Sequence, residues 1–397
     1  MMTPKKTGQL DFIGDIHGHA DELEALLGRL GYRDMGGHYG GHPDGSKAVF
    51  LGDYIDRGPE IRRVLEIVKA MTDAGEAYAI LGNHEMNALR YHARGRDNQP
   101  LRSHSETHRH QHEETLKQIA DPDPKAWQEL LRWLAGLPVF LDFGAVRAVH
   151  AAWDAEALRE LSGAQRWEGD TLEYYSRKTS PGYELISRVL NGPEAVLPAG
   201  CAGVDAEGVP RPEIRVRWWS DLSGATYRQA VFPDSDRAPD VPMGDGVPCT
   251  GYPADAPPVI FGHYALKTDL PELLAPNVAC LDFGMGKGGF LCAYQWKGEE
   301  MLSWDGFRHA SNSRRFLRSG YRVYVDDNLH LGDERYRWIA GDYATYKEAA
   351  AHAAFLRAPA FLDPRAAKFY NDVPWVDPFG GAKMPEPKSG AAGKLVS

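Results

Sequence analysis

Residues 52–58 read Gly-Asp-Tyr-Ile-Asp-Arg-Gly and follow directly on Ala48-Val49-Phe50-Leu51, an apolar run with the length of a buried strand. Two carboxylates and a guanidinium packed into a glycine-bounded turn at the end of a strand form the opening of a site rather than a piece of core. The same arrangement recurs along the chain. Leu10 to Ile13 leads into Gly14-Asp15-Ile16-His17-Gly18, and Ala77 to Leu81 into Gly82-Asn83-His84-Glu85. Val146 to Val149 leads into His150, and Pro258 to Phe261 into Gly262-His263. In an open α/β sheet the carboxyl ends of the strands line the ligand crevice, so polar residues placed there converge although they lie far apart in sequence.

Between the first strands, Asp21 to Leu30 and Ile61 to Met71 carry apolar residues at three- and four-residue spacing, which predicts amphipathic helices packed on a sheet. Asp21 and Pro59 stand where helix starts favour them. The alternation gives a layered α/β fold. Residues 90–137 predict a helical insertion, polar and His-rich at first, then apolar through Trp127, Leu130, Leu131, Trp133 and Leu134. Residues 151–256 mix helical patterns with Pro- and Gly-rich loops and are expected to shape the substrate cleft. After Asn277 the pattern alternates strand and turn through VACLDF, FLCAYQW and MLSW. The expected organisation is a catalytic domain over 1–305, a small ββα appendage over 306–371 with strands at Arg322 to Val325 and Tyr336 to Ile339 and a helix at Thr345 to Phe355, and a flexible tail over 372–397.

Composition narrows the class. A chain of 397 residues with 43% hydrophobic and 25% charged residues can bury a sizeable core, and no apolar run is long enough to span a bilayer. The N-terminus enters a strand without the apolar segment of a signal peptide, which reads as cytoplasmic. A formal charge of −10 disfavours an extended nucleic-acid face. Cys201, Cys249, Cys280 and Cys292 are too few and too scattered for a disulfide framework and read as free thiols.

Asp15, His17, Asp53, Asn83, His150 and His263 are oxygen and imidazole donors suited to two divalent ions such as Mn, Fe or Zn, with Asp53 as the bridge. Two such ions activate a bridging water for in-line attack on phosphorus, so no covalent nucleophile is needed. His84 is then placed to protonate the leaving oxygen, with Asp56 orienting its imidazole. Arg57 is the first choice for clamping two phosphate oxygens and Arg217 the second.

GDIHG, GDYIDRG, GNHE and the later GH pair resemble the signature of the calcineurin-like metallophosphoesterases, in the phosphoprotein phosphatase branch with its bacterial diadenosine tetraphosphatases, over roughly residues 10–296. The resemblance implies a β-sandwich flanked by helices in four layers, α/β/β/α, a di-metal centre often filled by Mn, and hydrolysis of phosphomonoesters or phosphoanhydrides. It places the ligands at Asp15, His17, Asp53, Asn83, His150 and His263, the acid at His84, its partner at Asp56 and a phosphate-binding Arg at Arg57. Asn83 also falls where the substrate phosphate is held. Ala265 stands where other branches carry a second His, and Ala151 and Ala152 follow His150 where many relatives have glycines.

The implied substrate is a phosphoprotein, a small phosphoester or a nucleotide such as diadenosine tetraphosphate; the contrasting class is an inert binding module on the same fold. Three further features read as structural. His104, His108 and His112 share four-residue spacing and are expected to form a solvated helix face. Gly284 to Gly289 matches a dinucleotide fingerprint in form but precedes a strand, not a helix. Trp218 and Trp219 read as core.

Overall fold

The computed structural model describes residues 8–198, 200–201, 203–204, 210–235, 238–244, 251–268 and 270–310, together with the backbone of 320–327, 336–343 and 375–379. Contacts divide the chain into two units, Met1–Ser313 and Arg314–Ser397.

The first unit is built on two sheets. β1 (Leu10–Ile13), β2 (Lys47–Phe50) and β3 (Ala77–Ala79) run parallel, fully or largely buried, as expected of strands covered on both faces. β4 (Phe140–Asp142) and β5 (Arg147–Val149) form an antiparallel pair, and β6 (Val259–Phe261) joins β5 in parallel. β7 (Leu273–Ala275), β8 (Val278–Cys280), β9 (Asp282–Phe283), β10 (Phe290–Trp296) and β11 (Phe307–Ala310) complete the two sheets. The first has the order β9-β10-β1-β2-β3, with β11 also paired to β10, and the second the order β7-β8-β6-β5-β4. Phe12 of β1 meets Phe143, just beyond β4, edge to face at 6.5 Å, so the two sheets share one core. The expected sandwich is present.

α1 (Ala20–Leu30) and α2 (Ile61–Asp73) bury Leu23, Leu26, Leu27 and Leu30, and Val64, Leu65, Val68 and Met71, at the spacing the sequence displays. α1 ends on Gly31 in the left-handed conformation, a common helix stop. α3 (Asn83–His92) begins inside the GNHE motif itself. The insertion supplies α4 (Glu106–Gln111), a widened π turn at Leu116–Ala120 and α5 (Pro124–Leu134), started by Asp123 as N-cap with Pro124 in the first turn. Trp127, Leu130, Leu131 and Leu134 are buried as their spacing requires.

Three expectations shift. Met301 to Trp304 is not a strand: the chain turns there and enters a short 3-10 helix at Trp304–Gly306, with Leu302 N donating to Pro276 O. Phe307–Ala310 pairs with β10, which carries the first unit past residue 305. In the second unit, Gly320–Asp327 and Tyr336–Tyr343 are antiparallel strands, and Trp375–Phe379, read as tail, pairs with the first of them. Its aromatic and β-branched residues suit a strand, and Pro378 suits a sheet edge. The helix expected at 345–355, the remainder of the tail and Cys249 lie outside the described residues. Cys280 and Cys292 are buried free thiols.

Candidate active site

The five strand-end segments meet at one place. Their turns impose unusual backbone: His17, Asp53, Asp56, Arg57 and His263 all have positive φ, between 46° and 75°. Non-glycine residues in this region are uncommon and carry a cost of roughly 1–3 kcal/mol each, so the surrounding structure must hold them there. The glycines beside them have a steric role. A Cβ on Gly82 would stand 2.2 Å from Asp53 Oδ1, and one on Gly262 would stand 2.0 Å from Asp15 Oδ1. Each glycine makes room for a carboxylate delivered by another strand.

Glu85 ties two of the segments together. Its Oε1 accepts the Tyr54 amide at 2.8 Å, and its Oε2 accepts the Asp53 and Gly82 amides, both at 2.9 Å. Burial and then the Asp53 charge push its carboxyl up to about 7.

His17 Nδ1 donates to Ile55 O at 2.9 Å and His150 Nδ1 to Leu51 O at 2.8 Å. A ring N–H committed to a backbone carbonyl fixes the tautomer and leaves the Nε2 lone pair as the ligand atom, the usual outer support of a metal-binding imidazole. His17 Nε2 lies 3.6 Å from Asp53 Oδ2, and His150 Nε2 lies 3.4 Å from Asp53 Oδ1 and 3.0 Å from Asn83 Oδ1. His263 Nδ1 is 3.1 Å from Asn83 Oδ1, and its Nε2 is buried without a hydrogen-bond partner among the described residues. Two donor groups result, His17–Asp53–His84 and Asp53–His150–His263, and they share Asp53. Asp15 stands beside them, accepting the His263 amide at 3.1 Å.

The charges suit cations. Burial, then Asp282 and Asp53, holds the Asp15 carboxyl well above the usual range. Burial, then Arg57 and His84, pushes the His17 imidazole well down, and burial, then Arg215 and His150, does the same to His263. Buried acids crowded together with imidazoles kept neutral make a donor set that divalent ions would satisfy.

At the edge of this group, His84 Nδ1 donates to Asp56 Oδ2 at 2.6 Å. Burial alone would raise the Asp56 carboxyl, but hydrogen bonds from His112 and His84 bring it far below the usual range. For His84 burial acts downward, yet Asp53 and the Asp56 hydrogen bond raise it overall. Arg57 Nη1 lies 2.7 Å from His17 Nε2 and its Nη2 lies 3.2 Å from His84 Nε2, so its guanidinium sits over these ring nitrogens.

The edge of this group, Asp56, Arg57, Asn83 and His84, lines a cleft of ≈ 1970 Å³ that Arg215 and Lys287 also line. Arg217 is not part of that lining: its Nη2 pairs with Asp234 and its guanidinium lies over the Phe232 ring. The strand Glu213–Arg215 ends before Arg217, so the two arginines part company, and Arg215, over the Tyr264 ring at 5.8 Å, is the one that reaches the cleft. Sequence reasoning missed it; its only signal was its place in the same Arg-Val-Arg run. Lys287 was also missed. The Gly284–Gly289 turn packs its Gly286 against Arg57 and His17, where a Cβ would stand 2.7 Å from Arg57 Cδ, and this closeness brings Lys287 to the cleft. Trp218 and Trp219 are buried in the core, with Trp218 also touching the cleft.

The histidine cluster is a correction. α4 spans only six residues, with Ser105 as its N-cap, so His104 precedes it and His112 follows its last residue. Four-residue spacing therefore does not align them on one face. His104 stacks on the Tyr91 ring at 4.0 Å but is exposed, as is His110; His108 is half-buried, and of the four only His112 is buried, against Asp56.

The pattern of the calcineurin-like phosphoesterase family matches residues 9–264. The bis(5'-nucleosyl)-tetraphosphatase PrpE (asymmetrical) of Halalkalibacterium halodurans is 45% identical over 83 residues, 21% of this chain and 33% of that protein. This chain thus spans about a third of the length of that relative. The symmetrical bis(5'-nucleosyl)-tetraphosphatase of Aromatoleum aromaticum is 26% identical over 236 residues, covering 54% of this chain and 78% of that protein. A crystal structure titled as a putative diadenosine tetraphosphatase aligns over 78% of this chain and 97% of its own, at 18% identity and a TM-score of 0.40. With the family pattern matched over more than half its length, the chain belongs to the calcineurin-like phosphoesterases, a family of binuclear metal-dependent phosphoester hydrolases.

Proposed function

We propose that the chain is a di-metal-dependent phosphatase that cleaves phosphomonoesters, with His84 as general acid. The observation that carries this reading is the meeting of two donor groups on Asp53 with His84 at their edge, held through Nδ1 by Asp56. Asp15, His17, Asp53, Asn83, His150 and His263 would hold the ions, most simply Mn, with Fe or Zn as the other candidates. When bound, the ions supply Lewis-acid activation of water and neutralise the phosphoryl oxygens.

The chain's own residues supply the rest. With Nδ1–H committed to Asp56, His84 turns Nε2 toward the cleft, and that atom delivers a proton to the leaving oxygen. The ionised Asp56 keeps the imidazole in this orientation. Arg57, next to Nε2, clamps phosphoryl oxygens with its planar fork, and Asn83 orients the phosphoryl group from the other side. Among the described residues no helix is long and apolar enough to cross a membrane, and a cytoplasmic setting belongs to this reading.

A second reading, hydrolysis of a dinucleoside polyphosphate, has its own support. The cleft is larger than the several hundred Å³ that suits most small ligands. Arg57, Arg215 and Lys287 all line the cleft, and burial, then Arg57, lowers the Lys287 ammonium. A substrate with several adjacent phosphoryl groups would use all three. Turnover of phosphoserine and phosphotyrosine peptides, a mononucleotide and diadenosine tetraphosphate by the Mn-loaded protein tests both readings. Faster release from the monoesters supports the first and faster cleavage of the dinucleotide the second, while no turnover of any substrate contradicts both.

A further inference from the structure

The segment 112–120 of the helical insertion grips the Gly52–Gly58 turn. His112 Nδ1 donates to Asp56 Oδ1 at 2.8 Å, and Thr115 Oγ1 donates to the same oxygen at 2.6 Å. Thr115 Oγ1 also accepts the Asp56 amide at 3.1 Å. Three residues on, inside the π turn, Gln118 Nε2 donates to Gly58 O at 2.9 Å while its Oε1 accepts the Ile61 amide at 2.8 Å. The wide turn keeps Thr115 and Gln118 on one side, and π turns of this kind often mark functional segments. His112 is itself fixed: it is 5% exposed, its Nε2 faces His92 Nε2 at 3.3 Å, and the Tyr91 and Trp127 rings flank it at 5.4 and 6.0 Å.

The Asp56 carboxylate is therefore divided. Oδ2 serves His84 and Oδ1 serves the insertion. An acid holding its partner through a single oxygen can swing; one anchored at its other oxygen by two donors cannot. The two donors also spread the negative charge of Asp56, so that it holds the Nδ1 proton of His84 in place without taking it.

We infer that His112, assisted by Thr115, is a positioning residue for general acid catalysis, fixing Asp56 so that His84 presents its Nε2 proton to the leaving oxygen. The inference rests on the proposed role of His84 as the acid. It ties a stretch of the insertion, outside all of the strand-end motifs, to the proton-transfer step.

The test compares two substrates with the Mn-loaded full chain: p-nitrophenyl phosphate, whose leaving group departs with little protonation, and an alkyl phosphomonoester, whose leaving oxygen needs the proton. His112→Phe keeps a ring among Tyr91, His92 and Trp127 but removes the donor; His112→Asn returns an amide donor near the Nδ1 position. In His112→Phe the ratio of kcat for the alkyl ester to kcat for p-nitrophenyl phosphate should fall by roughly tenfold, with KM little changed, and in His112→Asn most of the ratio should return. Thr115→Val, nearly isosteric, should lower the ratio by a smaller factor and provides the same readout if His112→Phe does not fold. Equal losses on the two substrates, or an unchanged ratio, overturn the inference. His84→Asn run alongside separates the failures. If it loses alkyl-ester activity selectively while the His112 and Thr115 variants do not, only the positioning role falls; if it keeps that activity, the acid role falls too.

Discussion

The strand-end turns and the helical insertion both reach Asp56, but they do so by different means. The turns hold their residues through backbone: positive φ at His17, Asp53, Asp56, Arg57 and His263, amides captured by Glu85, and glycines that leave space for a neighbouring carboxylate. The insertion works through side chains alone, with His112, Thr115 and Gln118 projecting from helical turns onto the Gly52–Ile61 segment. Where the backbone is committed, residue types are constrained in short runs. Where contact is made by side chains over long sequence separation, one residue per turn suffices and no local pattern forms.

The largest effect should come from the turns. Asp53→Asn removes the acid common to both donor groups, and kcat should fall by on the order of 10³-fold or more, with bound metal reduced in elemental analysis of the dialysed protein. Retained metal and near-normal turnover would show that the two groups do not act as one centre. Arg57→Ala should raise KM and lower kcat/KM by roughly 30-fold, the equivalent of about 2 kcal/mol for a charge-assisted pair of hydrogen bonds. An unchanged kcat/KM would move the phosphate clamp elsewhere, with Arg215 and Lys287 next in line.

Effects in the insertion should be smaller and of another kind. Gln118→Ala leaves the Ile61 amide and the Gly58 carbonyl without their partner and should cost about 1–2 kcal/mol of stability, read from chemical denaturation. A loss of activity without a loss of stability would mean that the clasp acts on the site rather than on the fold. Arg217→Ala should be the mildest, changing kcat/KM by less than about twofold, since its partner Asp234 is exposed and lies away from the cleft. A tenfold fall would restore it as a substrate contact and break the separation of Arg215 from Arg217.

This contrast explains what could be read in the sequence. β1 and β10 were legible residue for residue, and α1 and α2 nearly so, because burial on a sheet writes itself as periodicity. The strand-end residues that the structure brings together were legible for the same reason, each announced by an apolar run and all but His150 by a glycine as well. His112 was not. Its spacing from His104 and His108 suggested a solvated face, and nothing local revealed that α4 stops at Gln111 and sends it inward. Arg215 and Lys287 were hidden because their value lies in reaching the same cleft as Arg57, a relation between segments roughly 70 to 230 residues apart. The strand at Trp375–Phe379 was masked by its Pro and Gly neighbours, which read as tail.

The most direct test of the central claim is phosphate release from an alkyl phosphomonoester by wild type with Mn, wild type after chelation, and Mn-loaded His84→Asn. Release should be lost on chelation and restored by Mn, and His84→Asn should be slower by roughly 10²-fold or more while keeping its metal. Release that survives chelation, or His84→Asn as fast as wild type, would contradict a strand-end di-metal centre served by a histidine acid.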